Sequence, residues 1–371
     1  MVSRWIASRM AKIESSGIRK IFELARSIKD PINLSLGLPD FDVPEEIREA
    51  AKRAIDSRKN AYTVTQGIPA LREKLLAIVQ AKFPGQDRDL VVTSGTSGGL
   101  VLALMSVIDP GDEVIVFDPY FVMYPHLVSL AGGVPVFIDT YPDFSIDPGK
   151  VQKAITPKTK AILFNNPANP TGKAYDSETM KALAVLAKEN NLLLVSDEVY
   201  SAFHYDGEMD SPANYNPDVL VVDGFSKSCA MTGWRVGFAH GPPHLIQEMI
   251  KLQQFTFVCS PSPFQEAALE AVNFDTQKIR ESYSQKLNFM ISELQEDYEI
   301  NTPGGAFYIF PKAPGGQATR FVERALQEKL MVIPGITFSR QDTHFRLSYA
   351  TSQETLEKGV GVLRKLARQT W

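Results

Sequence analysis

Cysteine and histidine are scarce in this chain. The two cysteines, Cys229 and Cys259, are too few for a disulfide framework and fit a reducing compartment. Neither stands in a metal-ligand spacing and the five histidines are scattered, which argues against a metal site. An excess of charge is missing too. Lys and Arg number 39 against 43 Asp and Glu, and a net charge of −4 gives no support for a nucleic-acid partner. No apolar run approaches a membrane span. Met1–Arg26 mixes charged residues with apolar ones at helical intervals and lacks the apolar stretch of a signal peptide. A cytoplasmic enzyme with no membrane association is expected, its opening helix packing lobes or docking a dimer. Repeats and low-complexity tracts are absent as well.

What is present is an ordinary globular composition, 44% hydrophobic and 22% charged over 371 residues, enough for a large core and two lobes. Seven short apolar runs read as strands: Leu90–Thr93, Glu113–Phe117, Val134–Ile138, Ala161–Phe164, Leu192–Ser196, Val219–Val222 and Val236–Ala239. Most are continuous rather than alternating, as in a mostly parallel sheet covered by helices on both faces. Helices are expected at Gly98–Ile108 and Ser177–Glu189, with Ser177 as N-cap and Asn190-Asn191 as the stop. Residues 46–272 would form this large domain. Residues 1–45, containing a helix, and 273–371, with a long charged helix and strands at Phe307–Phe310 and Phe345–Tyr349, would form a smaller α/β domain.

Ligands of open α/β sheets bind beyond the carboxyl ends of the strands, and five of those ends carry polar, aromatic or ionisable groups. They are Ser94-Gly95-Thr96-Ser97, Asp118-Pro119-Tyr120-Phe121, Asn165 through Gly172, Asp197-Glu198-Val199-Tyr200, and the segment reaching Lys227. In the last of these, Gly224-Phe225-Ser226-Lys227 leads into Gly233-Trp234-Arg235-Val236-Gly237. A lysine among small residues suits imine formation with a planar group if burial or nearby cations lower its pKa. Arg235 and Ser226, with the Gly95–Ser97 turn at a helix start, suit a phosphate. This is the logic of pyridoxal phosphate, whose ring is an electron sink. Asp197 is a candidate partner of the pyridine nitrogen, or else a buried cap. Tyr200 and Asn169 are candidate donors to the phenolic oxygen, Tyr200 otherwise being core. Phe121 would stack on the ring or simply pack. Arg346 is either a solvated strand charge or a fork for an α-carboxylate.

With these residues the chain resembles a class I/II aminotransferase of the fold-type-I pyridoxal-phosphate enzymes, over nearly its whole length. The markers are Gly37-Leu38-Pro39-Asp40-Phe41, Asn169-Pro170-Thr171-Gly172, Asp197-Glu198-Val199-Tyr200 and the lysine segment through Gly237. The resemblance implies that Lys227 forms the internal aldimine and shuttles the proton, with Asp197 and Tyr200 also catalytic. It implies that Gly95, Thr96, Ser97, Ser226 and Arg235 bind phosphate, that Phe121 stacks, and that Asn169 and Tyr200 hold the phenolic oxygen. It further implies that Tyr62 reaches the phosphate of a neighbouring subunit in a homodimer with a composite site. Gly37, Asn169 and Arg346 would receive the substrate carboxylate.

The implied reaction is ping-pong transfer of an amino group from an L-amino acid to a 2-oxo acid, with 2-oxoglutarate the expected acceptor. Several aspartate-preferring relatives have a basic residue where this chain has Ser97, which tilts the expected donor toward neutral or aromatic amino acids. A C–S β-lyase of the same fold would use the same lysine, aspartate and phosphate residues. A non-catalytic ligand-sensing module would need an N-terminal DNA-binding domain, and only about 30 residues precede Ile32.

Overall fold

The computed structural model describes residues 5–13 and 28–371. The helix expected within Met1–Arg26 lies largely outside the described residues; within 5–13, Ser8–Lys12 forms a short 3-10 turn.

Seven strands build one sheet: β2 (Asp89–Ser94), β3 (Glu113–Asp118), β4 (Val134–Asp139), β5 (Thr159–Asn165), β6 (Leu193–Asp197), β7 (Leu220–Gly224) and β8 (Val236–Gly241). The short β1 (Ile32–Asn33) precedes them and lies elsewhere. Their order is β2-β8-β7-β6-β5-β3-β4, with only β8 antiparallel to its neighbours. The apolar runs are continuous because both faces are covered. Ile115, Ile162, Leu194 and Val221 enter one core, while Val114, Ala161, Val195, Leu220 and Val222 enter another across the sheet.

All seven expected strands occur, each displaced by no more than a few residues. The expected helix at Gly98–Ile108 starts earlier, at Gly95, and that at Ser177–Glu189 agrees in both limits. Its cap is not Ser177, however. Asp176 is the N-cap, its carboxylate accepting from Thr179 N at 2.8 Å, because a carboxylate there also meets the positive helix end.

A second core gathers β9 (Tyr308–Ile309), β10 (Leu330–Met331), β11 (Ile333–Pro334) and β12 (Phe345–Ser348) with three helices, Gln277–Leu294, Ala318–Gln327 and Gln353–Ala367. Strand β1 pairs in parallel with β10, and β12 lies between β11 and β9. Tyr200 and Phe203, just beyond β6, pack into this second core, so the two bodies meet at the end of the large sheet.

Register decides what faces that junction. Asn165 pairs with Asp197 and Gly224 with Gly237, which aligns the ends of neighbouring strands. The last pair must be glycine: a Cβ on Gly224 would lie 2.8 Å from Gly237 Cα, and one on Gly237 would lie 2.7 Å from Thr96 N.

Candidate active site

Five carboxyl strand ends and the second body enclose one cavity of about 360 Å3. Thr96, Ser97, Phe121, Asn169, Asp197, Tyr200, Ser226, Lys227 and Arg235 line it from the large sheet, and Gly37, Tyr308 and Arg346 from the other side. The structure thus brings nearly every candidate residue to one place.

Lys227 projects from the one-turn helix Phe225–Ser228, and its Nζ donates to Gly37 O at 2.7 Å. Burial, then the cations of Arg346 and Arg235, push its pKa down to about 8, against the pull of Asp197. An amine tuned this way is partly unprotonated near neutral pH and can act as nucleophile or base.

Asp197 ends β6 and is buried. Oδ2 accepts from Tyr124 Oη at 2.7 Å and Oδ1 from Val199 N at 3.3 Å. Burial raises its pKa to about 6, with the Tyr124 bond opposing. A buried carboxylate with two neutral donors is best completed by a cationic N–H in the cavity.

Asn169 Nδ2 donates to Tyr200 Oη at 3.4 Å, and Tyr200 Oη is 2.8 Å from Tyr308 Oη. Burial, then the neighbouring Tyr308, holds the Tyr200 phenol well above its usual pKa, so it stays a donor. Phe121 meets Tyr124 edge to face, with centroids 5.6 Å apart.

Arg346 is only 2% exposed, so it is not the solvated strand charge that the alternation of β12 allows. Both faces of β12 are covered. Nη1 donates to Asn169 Oδ1 at 2.9 Å and Nη2 to Ser35 O at 3.0 Å, while Nε has no partner among the described residues. The rings of Tyr308 and Phe338 lie 4.4 and 4.5 Å from the guanidinium. Burial lowers its pKa, and the opposing influences come from two tyrosines rather than a carboxylate. A carboxylate ligand would supply the missing charge.

The other end of the cavity suits an anion. Among the described residues, no side chain caps the start of helix Gly95–Val107, leaving its first N–H groups and positive end open to a ligand. Thr96 Oγ1 is buried without a partner among the described residues, and Arg235 Nη1 and Nη2 are held by Thr232 O and Ser94 O at 2.9 and 3.2 Å. Gly95, at φ +66°, leaves room for that guanidinium: a Cβ there would lie 2.5 Å from Arg235 Nη2. The donor set thus fits pyridoxal phosphate, with an anion cradle, a carboxylate and a tuned amine in one cavity.

Tyr62 is not brought to this cavity; it is 84% exposed. Its segment is held against helix Ser262–Ala271 by Ser262 Oγ on Ala61 O at 2.5 Å and by Gln265 Nε2 on Thr63 Oγ1 at 3.1 Å. Phe255, 83% exposed, lies two residues beyond Gln253, which donates to Thr65 O.

Sequence reasoning missed Tyr124 and Tyr308. Each lies in an apolar run and reads as core. The available signal was the hydroxyl itself, because a buried tyrosine needs a polar partner.

The family model "Aminotransferase class I and II" matches residues 29–363. The "Probable aspartate aminotransferase" of Methanocaldococcus jannaschii is 40% identical, over 97% of this chain and 99% of its own. The "Aspartate/prephenate aminotransferase" of Thermus thermophilus is also 40% identical, over 92% of each. A solved Thermus thermophilus aspartate aminotransferase with maleate superposes with a TM-score of 0.92 at 38% identity, covering 98% of this chain and 100% of that one.

Proposed function

The chain belongs to the class I and II aminotransferase family, and from that premise we propose that it passes the amino group of an L-amino acid with an uncharged side chain to a 2-oxo acid by a ping-pong cycle. It is an aminotransferase, and its cofactor is pyridoxal phosphate. The carrying observation is that one cavity holds a buried lysine tuned to about 8 and a buried arginine without an anionic partner among the described residues.

Bound pyridoxal phosphate supplies an electron sink for negative charge at the substrate Cα. In this reading Arg346 and Asn169 orient the amino acid by its α-carboxylate, leaving Cα toward Lys227. Lys227 Nζ takes the Cα proton, and Gly37 O, already its acceptor, holds the resulting ammonium. Asp197 keeps the ring nitrogen protonated, while Asn169 and Tyr200 donate to the phenolic oxygen. Phe121 packs on the ring, and Gly95, Thr96, Ser97, Ser226 and Arg235 hold the phosphate.

The donor class rests on charge. Among the described residues, the cations lining the cavity are Lys227, Arg235 and Arg346, each already occupied in this scheme. What remains for a side chain includes Leu36, Leu38 and Leu100. With 2-oxoglutarate as acceptor, the distal carboxylate would need a cation from a neighbouring subunit; the same cation would admit aspartate, so fast reaction with aspartate is the outcome that marks its presence. The exposed Tyr62 supports a homodimer in which that tyrosine completes the partner's phosphate site. We place the smaller domain at residues 1–45 and 273–371, supported by the pairing of β1 with β10.

A half-reaction screen tests the reading. Loss of the visible absorbance of the lysine-bound cofactor is followed across the common L-amino acids. Aromatic and apolar donors should bleach it faster than aspartate; aspartate as the fastest donor would overturn the donor class. Lys227→Ala should abolish the band, and its persistence would remove Lys227 from its role.

A further inference from the structure

We propose that Tyr308 is a positioning residue for this reaction, its hydroxyl setting the donor strength of Tyr200 and its ring holding the Arg346 guanidinium in place. The inference rests on the roles given above to Tyr200 and Arg346.

Tyr308 stands on β9, whose pairing with β12 sets Tyr308 opposite Ser348, two residues from Arg346. Its ring lies 4.4 Å from the guanidinium, within the range of a cation–π contact. Its hydroxyl is 2.8 Å from that of Tyr200. Room for the hydroxyl comes from Gly37, where a Cβ would lie 2.8 Å from it. Gly37 O also accepts from Lys227, so one tyrosine touches the phenol and the carboxylate fork and backs the glycine that holds the amine.

The hydrogen-bond count gives the hydroxyl its role. Tyr200 has a single proton. When that proton is donated to an oxygen in the cavity, the Tyr200 oxygen must accept from behind. Asn169 Nδ2 reaches it only at 3.4 Å, so Tyr308 is the closer donor. A phenol that accepts a hydrogen bond is polarised and donates more strongly. Among the described residues, the other titratable groups facing the pair are Arg346 from β12, Asp197 from β6, Tyr124, and Lys227, whose Nζ is 5.8 Å from the Tyr200 ring; Tyr349 neighbours Tyr308 and is hydrogen-bonded to Tyr205. A purely packing role would be filled equally well by phenylalanine.

Spectrophotometric pH titration of the holoenzyme separates these roles. Donation to the phenolic oxygen of the bound cofactor stabilises its negative charge and lowers the proton affinity of the adjacent lysine-derived nitrogen. Weakening Tyr200 must therefore raise the midpoint of the visible band. Tyr308→Phe should raise it by about 0.4 to 1 pH unit, the equivalent of one hydrogen bond, with KM for both substrates within about twofold of the parent. Tyr308→Leu should show the same upward shift and raise both KM values by about 5- to 30-fold through loss of the ring under Arg346. An unchanged midpoint in Tyr308→Phe overturns the hydroxyl role, and unchanged KM values in Tyr308→Leu overturn the ring role. If Tyr308→Leu does not fold, Tyr308→Phe still decides the hydroxyl role. Failure of the underlying reading looks different: the parent protein would lack a titrating band, or Lys227→Ala would keep it.

Discussion

Replacing Gly95 by alanine adds one methyl group, and the structure says what it would strike. The new Cβ would lie 2.5 Å from Arg235 Nη2, 2.8 Å from Cζ and 3.0 Å from Nη1. The guanidinium cannot stay, so its bonds to Thr232 O and Ser94 O are lost or remade. Alanine at φ +66° costs a further ~1–2 kcal/mol of backbone strain, which enters global stability. The guanidinium shift enters cofactor affinity. Loss of a bidentate charge-assisted contact to phosphate is worth about 2–4 kcal/mol, or roughly 30- to 700-fold in Kd. Titrating the apoprotein with pyridoxal phosphate, followed by visible absorbance, gives that number. Pyridoxal, which lacks the phosphate, should bind parent and variant alike. On an Arg235→Ala background, Gly95→Ala should cost little further cofactor affinity. A Kd for pyridoxal phosphate within threefold of the parent would refute the placement of phosphate between the helix start and Arg235.

Arg346→Lys keeps the charge but loses the fork, so kcat/KM for donor and acceptor alike should fall by about 10- to 150-fold with cofactor affinity retained; steady-state kinetics with both substrates would expose an error if only one responded. Lys227→Met should stabilise the apoprotein near pH 7. The folded-state pKa of about 8 lies below the ordinary 10.5, so the unfolded chain binds the proton more tightly and burying it costs about 3 kcal/mol below pH 8. That penalty fades as pH rises from 8 to 10.5, and denaturant unfolding that gave the same difference at pH 7 and 10 would contradict it. Tyr124→Phe removes a donor to a carboxylate whose folded-state pKa is raised to about 6, so the carboxylate most needs that donor when ionised. Its cost, about 1–3 kcal/mol in apoprotein unfolding, should be larger at pH 7.5 than at pH 5; equal costs would sever Tyr124 from Asp197.

The central sheet was legible because strands buried on both faces leave continuous apolar runs, and turn residues punctuate them at Ser94, Asp118 and Asn165. Most candidate site residues were legible because they follow those runs. The environment of Arg346 was not. Alternation along β12 separates Arg346 from Phe345 and Leu347, but it does not reveal that the opposite face is covered by Tyr308 and Phe338. The partnerships of Tyr124 and Tyr308 depend on contacts 73 and 108 residues away, which local pattern does not carry. The cap at Asp176 rather than Ser177 turned on a choice between adjacent side chains that can both accept from the helix.

The bond from Arg346 to Ser35 O spans 311 residues of chain. On the ribosome, the anion cradle, Asp197 and Lys227 are all made by residue 235. Arg346, proposed to receive the substrate carboxylate, follows 111 residues later (346 − 235), roughly 6 to 22 s at about 5–20 residues per second. On the proposed roles, a nascent chain carries every large-sheet group for the cofactor before it has a grip on an amino acid. Early loading of the vitamin-derived group would meet a protein that has not yet gained its substrate fork.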